Sequence, residues 1–209
     1  MAPPAKVVEG ANALARRDKV LRSALKSFGV PDMRRGRPKR THFCELTRMI
    51  CYQQLAGRAA AAIFGRFEAL FDGPPTPDTV LALSTEELRS AGLSGSKAAS
   101  IRDLAEKVDV GLVQLDRMGR LPDVEVVREL TLVRGIGEWT AHMFLMFQLG
   151  RLDVWPVGDF GVRSGFGRLY GLDPAPTAKQ LEPLGEPFHP YRSLVAWWCW
   201  RAADTVTPG

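Results

Sequence analysis

The chain has 209 residues, 45% of them hydrophobic, and 28 Lys and Arg against 23 Asp and Glu give it a formal net charge of +5. That length holds one compact domain or two small lobes sharing a core. No apolar run is long enough to span a bilayer, residues 1–6 lack the apolar stretch of a secretory leader, and Cys44, Cys51 and Cys199 are too scattered for a zinc or iron–sulfur site. The expectation is a cytoplasmic protein with reduced, buried thiols, whose mild basic excess suits a polyanionic partner without demanding one.

Nearly every periodic segment reads as helix. Leu14, Leu21, Leu25 and Phe28 predict a helix over 11–28, stopped by Gly29-Val30-Pro31. Residues 34–40, Arg-Arg-Gly-Arg-Pro-Lys-Arg, form a basic loop, by composition a solvated one, though a loop beside a DNA groove has the same chemistry. Helices follow over 43–55 and 58–71, with Gly57 breaking the path between them. After the connector 72–77 come short helices over 78–83 and 85–91, the second with Ser84 and Glu87 spaced as a capping box. Residues 96–108 are amphipathic, with Ile101, Leu104, Ala105 and Val108 on one face. Pro122 opens a helix ending near Leu132. Further helices are predicted over 138–149, 160–170, 177–184 and 191–203. No segment alternates convincingly as a strand. The architecture expected is all-α, two helical lobes with a cleft between them: residues 1–42 supply an N-terminal helix and the basic loop, and residues 43–209 the core.

The stretch that names a chemistry lies between Leu132 and Asp159. Gly135-Ile136-Gly137 is a tight hairpin followed at once by a helix beginning Glu138-Trp139-Thr140. Its glycines permit positive φ and close approach of another molecule, and the helix offers unpaired N–H groups to an anion. Gly135, Ile136, Gly137 and Thr140 are therefore candidate contacts to a DNA backbone, a grip that fixes register without reading sequence. Trp139, Met143 and Phe147 share one helical face. Phe147 reads as core, whereas Trp139, at the first turn beside the hairpin, is a candidate for a pocket wall. Trp197, Trp198 and Trp200 fall within four positions and cannot all face one core, so some should face a cleft or the second lobe, where such rings would stack well on a cationic base. His42, His142 and His189 read as structural, with His142, near Trp139, also a candidate for the pocket edge.

Asp159 precedes the helix 160–170 as an N-cap, a role compatible with a catalytic one. An ionised carboxylate beside a sugar stabilises the positive charge that builds as an N-glycosidic bond breaks, and can orient water. Asp153 is the competing carboxylate and reads as structural. A base must leave the duplex first, and Gln53, Gln54 and Leu55, at the end of helix 43–55, are candidates for the wedge that fills its place.

These residues together resemble the helix-hairpin-helix–GPD superfamily of DNA glycosylases, and within it the alkylbase branch typified by 3-methyladenine DNA glycosylase II. The markers are residues 50–55, Gly92-Leu93-Ser94-Gly95-Ser96-Lys97-Ala98, the hairpin 132–141, Asp159, and Tyr191-Arg192-Ser193 with Trp200. The resemblance implies an all-α two-lobed fold, Asp159 as the catalytic aspartate, Trp139 and Trp200 as pocket aromatics, Leu55 as wedge, and a phosphate-clamping hairpin whose backbone carbonyls hold a Na⁺ or K⁺ ion at residues the sequence does not specify. No catalytic cofactor is implied.

Departures from the family pattern narrow the subclass. Bifunctional members carry Lys where this chain has Trp139. Trp has no amine to form a Schiff base, so a monofunctional enzyme that leaves an abasic site is expected. The four-Cys cluster of the iron–sulfur members is missing, and so is room for the β-rich N-terminal domain of some bacterial members. Arg134 stands where many members have Pro, and Met143 where a ring often lines the pocket. The expected activity is hydrolytic release of alkylated purines such as 3-methyladenine and 7-methylguanine from duplex DNA by a monomer with no membrane partner. Two other readings share parts of the pattern: a non-catalytic helix-hairpin-helix DNA-binding protein, and a glycosylase for another lesion.

Overall fold

In the computed structural model, which describes residues 3–33 and 40–203, all regular structure among those residues is helical. In chain order the helices are α1 (Ala5–Arg17), α2 (Lys19–Phe28), α3 (His42–Tyr52), α4 (Gly57–Glu68), α5 (Pro77–Leu81), α6 (Thr85–Ser90), α7 (Gly95–Asp109), α8 (Asp123–Leu130), α9 (Glu138–Met143), α10 (Phe160–Tyr170), α11 (Ala178–Leu184) and α12 (Arg192–Ala202). Among the described residues, no helix is long and apolar enough to cross a membrane. The chain divides into two compact units, one formed by residues 1–36 with 142–209 and the other by residues 37–141. The N-terminal helices thus join the C-terminal ones in a single unit. Of the basic loop, residues 34–39 lie outside the described residues. Arg40 pairs with Glu68 at 3.5 Å and lies over the Phe64 ring.

The first unit is built around α12. Residues Ser193 to Trp200 are all buried, enclosed by α10, α2 and α1. The expectation that some of Trp197, Trp198 and Trp200 face a cleft is therefore corrected: a helix packed on several sides buries its whole circumference. Each buried indole N–H needs an acceptor. Trp198 Nε1 donates to Gly29 O at 3.0 Å, and Trp155 Nε1 to Leu181 O at 3.1 Å.

Gly165 sets the distance between α10 and α12, because a Cβ there would run into the backbone carbonyl of Cys199. The single helix expected over 11–28 is two helices broken at Asp18. That carboxylate accepts the Val20 and Leu21 N–H groups at 2.6 and 3.1 Å and so caps α2. Its other oxygen accepts the Tyr170 hydroxyl at 2.9 Å, which ties the break to α10.

In the second unit α7 packs against α3, α5 and α6. The Ser84–Glu87 capping box is present, and Ser94 caps α7. Pro122 sits at the cap position of α8 rather than inside its first turn. The gap before it holds a 3₁₀ turn, Leu115–Arg120. The helix expected over 138–149 is α-helical only to Met143. A π turn follows through Gln148, closed by Leu149 N–H to Phe144 O at 3.0 Å. The four consecutive side chains Phe144 to Phe147 in that turn are all buried.

The three cysteines are free and buried. Burial pushes the thiols up, Cys44 to about 11 and Cys51 to about 12, so both stay neutral and inert.

Candidate active site

The residues expected from the sequence to carry the chemistry fall into two groups, one in each unit. In the first, the chain reaches Asp159 through the irregular segment 151–158, which α12 holds in place. Ser193 Oγ accepts Val154 N–H and donates to Arg151 O, each at 2.9 Å, while Ser193 N–H donates to Leu152 O. Arg192 grips Asp153 with Nε to Oδ1 at 3.0 Å and Nη2 to Oδ2 at 3.2 Å, and His189 Nδ1 lies 2.7 Å from the same carboxylate. Arg192, Ser193 and His189 thus fasten the strap that delivers Asp159.

Asp159 caps α10. Its Oδ1 accepts Val162 N–H at 2.8 Å and Trp200 Nε1–H at 2.9 Å. Two donors on one oxygen lock the carboxylate's rotamer, and the Gly165 approach of α10 to α12 puts Trp200 within reach.

The three aromatic and thioether candidates are not alike. Trp139 is 44% exposed, whereas Met143 and Trp200 are 3% and 1% exposed. Stacking a base needs an open ring face, and in this structure Trp200 offers none. Its ring lies 6.1 Å from that of Phe147, and its N–H serves Asp159.

In the second unit the hairpin between α8 and α9 is supported by α7. Gly135 has φ +76, and a Cβ there would sit 2.5 Å from Ser100 Oγ, so both backbone and space demand glycine. Gly137 has neither constraint; nothing lies within 4 Å of its would-be Cβ. Ile136 and Thr140 are buried, so neither side chain is presented to a ligand in this structure.

Asp103 Oδ2 accepts Arg134 N–H at 2.7 Å and pairs with Lys107. A proline at 134 would have no N–H for this bond. Lys97, Ser100 and Asp103 form a polar stripe at i, i+3 and i+6 on α7 that supports the site. The sequence reading overlooked this stripe, although its spacing was visible.

Burial alone would raise the Asp103 carboxyl, but hydrogen bonds from Lys107 and Arg134 N–H outweigh it and hold the group below its ordinary value. A depressed carboxylate stabilises the fold fully above its unfolded value, about 3.9, and that stabilisation is lost as pH falls through the lower folded value. Asp103→Ala should therefore cost about 1–2 kcal/mol at pH 7. Urea melts of both proteins at neutral pH and again near pH 2 would check it. The gap should narrow at low pH, and a gap unchanged with pH would remove the carboxylate's charge from the account.

The wedge candidates separate. Gln54 has φ +57, and Leu55 beyond it is 40% exposed. Gln53 is tied down: its Nε2 donates to Gly135 O at 2.9 Å and lies 3.4 Å from Thr140 Oγ1. Of the three candidates, Gln53 is the one whose side chain is engaged with the hairpin in this structure, while Gln54 and Leu55 are exposed.

Residues 47–190 match the model of the HhH-GPD superfamily of base excision DNA repair proteins. This chain belongs to the HhH-GPD superfamily. It is 34% identical over 180 residues to DNA-3-methyladenine glycosylase 1 of Schizosaccharomyces pombe, covering 83% of this chain and 79% of that protein. The solved Schizosaccharomyces pombe 3-methyladenine DNA glycosylase in complex with abasic DNA superposes with a TM-score of 0.82 at 31% identity, over 95% of this chain and 98% of that one. A DNA-3-methyladenine glycosidase from Bacillus halodurans gives a TM-score of 0.83 at 35% identity, over 94% and 89% of the two chains. The chain is therefore a base excision DNA repair protein of the HhH-GPD fold, similar to 3-methyladenine glycosylases.

Proposed function

We propose that this protein is a monofunctional DNA glycosylase that takes alkylated purines, 3-methyladenine and 7-methylguanine, out of duplex DNA and hydrolyses their N-glycosidic bonds. The observation that carries the reading is the Asp159 carboxylate held at one oxygen by Val162 N–H and Trp200 Nε1–H. Such a group faces the developing oxocarbenium charge without having to reorganise. An alkylated purine cation is already a good leaving group, so a single carboxylate with no general acid suffices. Hydrolysis adds water across C1′–N: the hydroxyl goes to the sugar, the base departs with the bond's electron pair, and the proton left by water passes to Asp159 or solvent. Trp139 brings ring surface and no amine, so the strand stays intact and an abasic site remains.

The partner in this reading is duplex DNA bound by a monomer in the cytoplasm, with the hairpin backbone on a phosphate. A Na⁺ or K⁺ ion takes neutral oxygen donors, and the carbonyls of the 131–137 turn fit it. Val133 O accepts Ile136 N–H at 3.1 Å and Gly135 O accepts the Gln53 amide at 2.9 Å, and each is a neutral carbonyl oxygen of the kind such an ion takes. When bound there, the ion adds positive field for a phosphate and takes no part in bond breaking.

The test is chromatographic. Methylated duplex DNA incubated with the protein should release free 3-methyladenine and 7-methylguanine, and strands should break only after alkali. Strand cleavage without alkali would overturn the monofunctional reading. Tight DNA binding with no base released would overturn the alkylpurine reading and turn attention to a binding module or another lesion.

A further inference from the structure

Loop 53–55 leaves α3 by an unusual path. Gln53 ends the helix with φ −55 and ψ 131, and Gln54 then takes φ +57, which turns Leu55 outward. A non-glycine residue in the left-handed region costs about 1 kcal/mol and persists only where its surroundings hold it there. Here they do so from two sides. Lys97 Nζ, on α7, donates to Cys51 O and Gln53 O, each at 2.8 Å. The Gln53 amide reaches the other way, to Gly135 O on the hairpin. One and two turns further along α7, Ser100 sits under Gly135 and Asp103 holds Arg134 N–H. Helix, loop and hairpin thus close a ring in which a glutamine side chain links the loop to the hairpin.

We propose that Gln53 is a positioning residue that couples the hairpin to Leu55, so that a DNA backbone seated on the hairpin and a Leu55 side chain entering the base stack are placed by one rigid part. The inference rests on the reading of the protein as a DNA glycosylase. The Gln53–Gly135 bond is solvent-exposed and adds little to folding. Its value is geometric. A wedge on a free loop loses conformational freedom each time it inserts, whereas a latched one has lost it on folding. Leu55 brings the apolar bulk that replaces a departed base, Gln54 brings the turn that exposes it, and Gln53 brings the register relative to the phosphate contact.

The test uses the full chain with Gln53→Ala, Leu55→Ala and the double variant, and with Gln53→Glu, which sets a carboxylate against the Gly135 carbonyl. The probe is an abasic-site duplex carrying 2-aminopurine beside the site, whose fluorescence at saturating protein reports unstacking. A second measurement is single-turnover base release from a paired lesion and from the same lesion in a bulge. Gln53→Ala should lower unstacking and paired-lesion release about tenfold, with release from the bulge nearly unchanged. Gln53→Glu should do the same. The double variant should be no worse than Leu55→Ala, because the two residues act through one step. Equal loss on paired and bulged lesions, additive losses in the double variant, or no loss at all would overturn the latch. If the wild-type protein releases no base, the glycosylase reading fails on its own. The latch is then judged by unstacking alone, and it fails too if the wild type does not unstack the probe.

Discussion

Asp159→Asn should slow single-turnover base release about a thousandfold while leaving affinity for an abasic duplex within about threefold. The substitution isolates charge from structure. Asn is as good an N-cap as Asp, and its amide oxygen can still accept Val162 N–H and Trp200 Nε1–H where Asp159 Oδ1 does now. The start of α10 and the packing of Trp200 are then preserved, and the melting temperature should stay within about 2 °C of wild type. What is lost is the negative charge that faces the oxocarbenium-like sugar. Single-turnover release of 3-methyladenine from a defined duplex, measured beside binding anisotropy and a thermal melt, checks all three parts. Release within tenfold of wild type by a well-folded Asn variant would remove Asp159 from the reaction, and the carboxylate would then be only a cap.

The second large effect falls on the frame behind that carboxylate. Gly165→Ala should destabilise the first unit by about 3 kcal/mol or more, a melting-temperature loss of roughly 6–12 °C. The added methyl points at the Cys199 carbonyl on α12, a backbone atom inside a buried helix, so no side-chain rotamer can relieve the clash. The two helices must separate. Asp159 starts one and Trp200 lies on the other, so separation also stretches the Trp200–Asp159 hydrogen bond. Release should therefore fall even at temperatures where the variant is fully folded. Gly137→Ala, where a Cβ meets open space, is the control for a glycine that packing does not require. Calorimetry of the two variants decides the matter. A Gly165→Ala melt within about 2 °C of wild type would show that the helices can slide apart at little cost.

Much of this was legible one residue at a time. The all-helical fold follows from apolar residues recurring with the helical period and from punctuation such as Ser84, Gly92 and Pro122. Asp159 as a cap and Gly135 as a positive-φ turn are local properties, and local chemistry predicts them. The break at Asp18 was in principle visible, because an aspartate three residues before Leu21 can cap a new helix; the apolar period running through it masked the signal.

Other features became visible only in three dimensions. Trp197, Trp198 and Trp200 look over-supplied to any single face, and only the enclosure of α12 by α10, α2 and α1 shows that all can be buried. Gln53, Gln54 and Leu55 look interchangeable in sequence. A carbonyl more than eighty positions away, at Gly135, separates the latch from the exposed leucine. The sequence by itself determined the helices, the hairpin, the cap at Asp159 and the family, because each rests on short-range spacing, backbone preference or a contiguous motif. Only the tertiary structure decided which tryptophan serves the carboxylate, which glycine sets a helix–helix distance and which glutamine is spent as a tie. Those depend on contacts between residues far apart in the chain, and side-chain identity alone does not say which distant partner will be within hydrogen-bond reach.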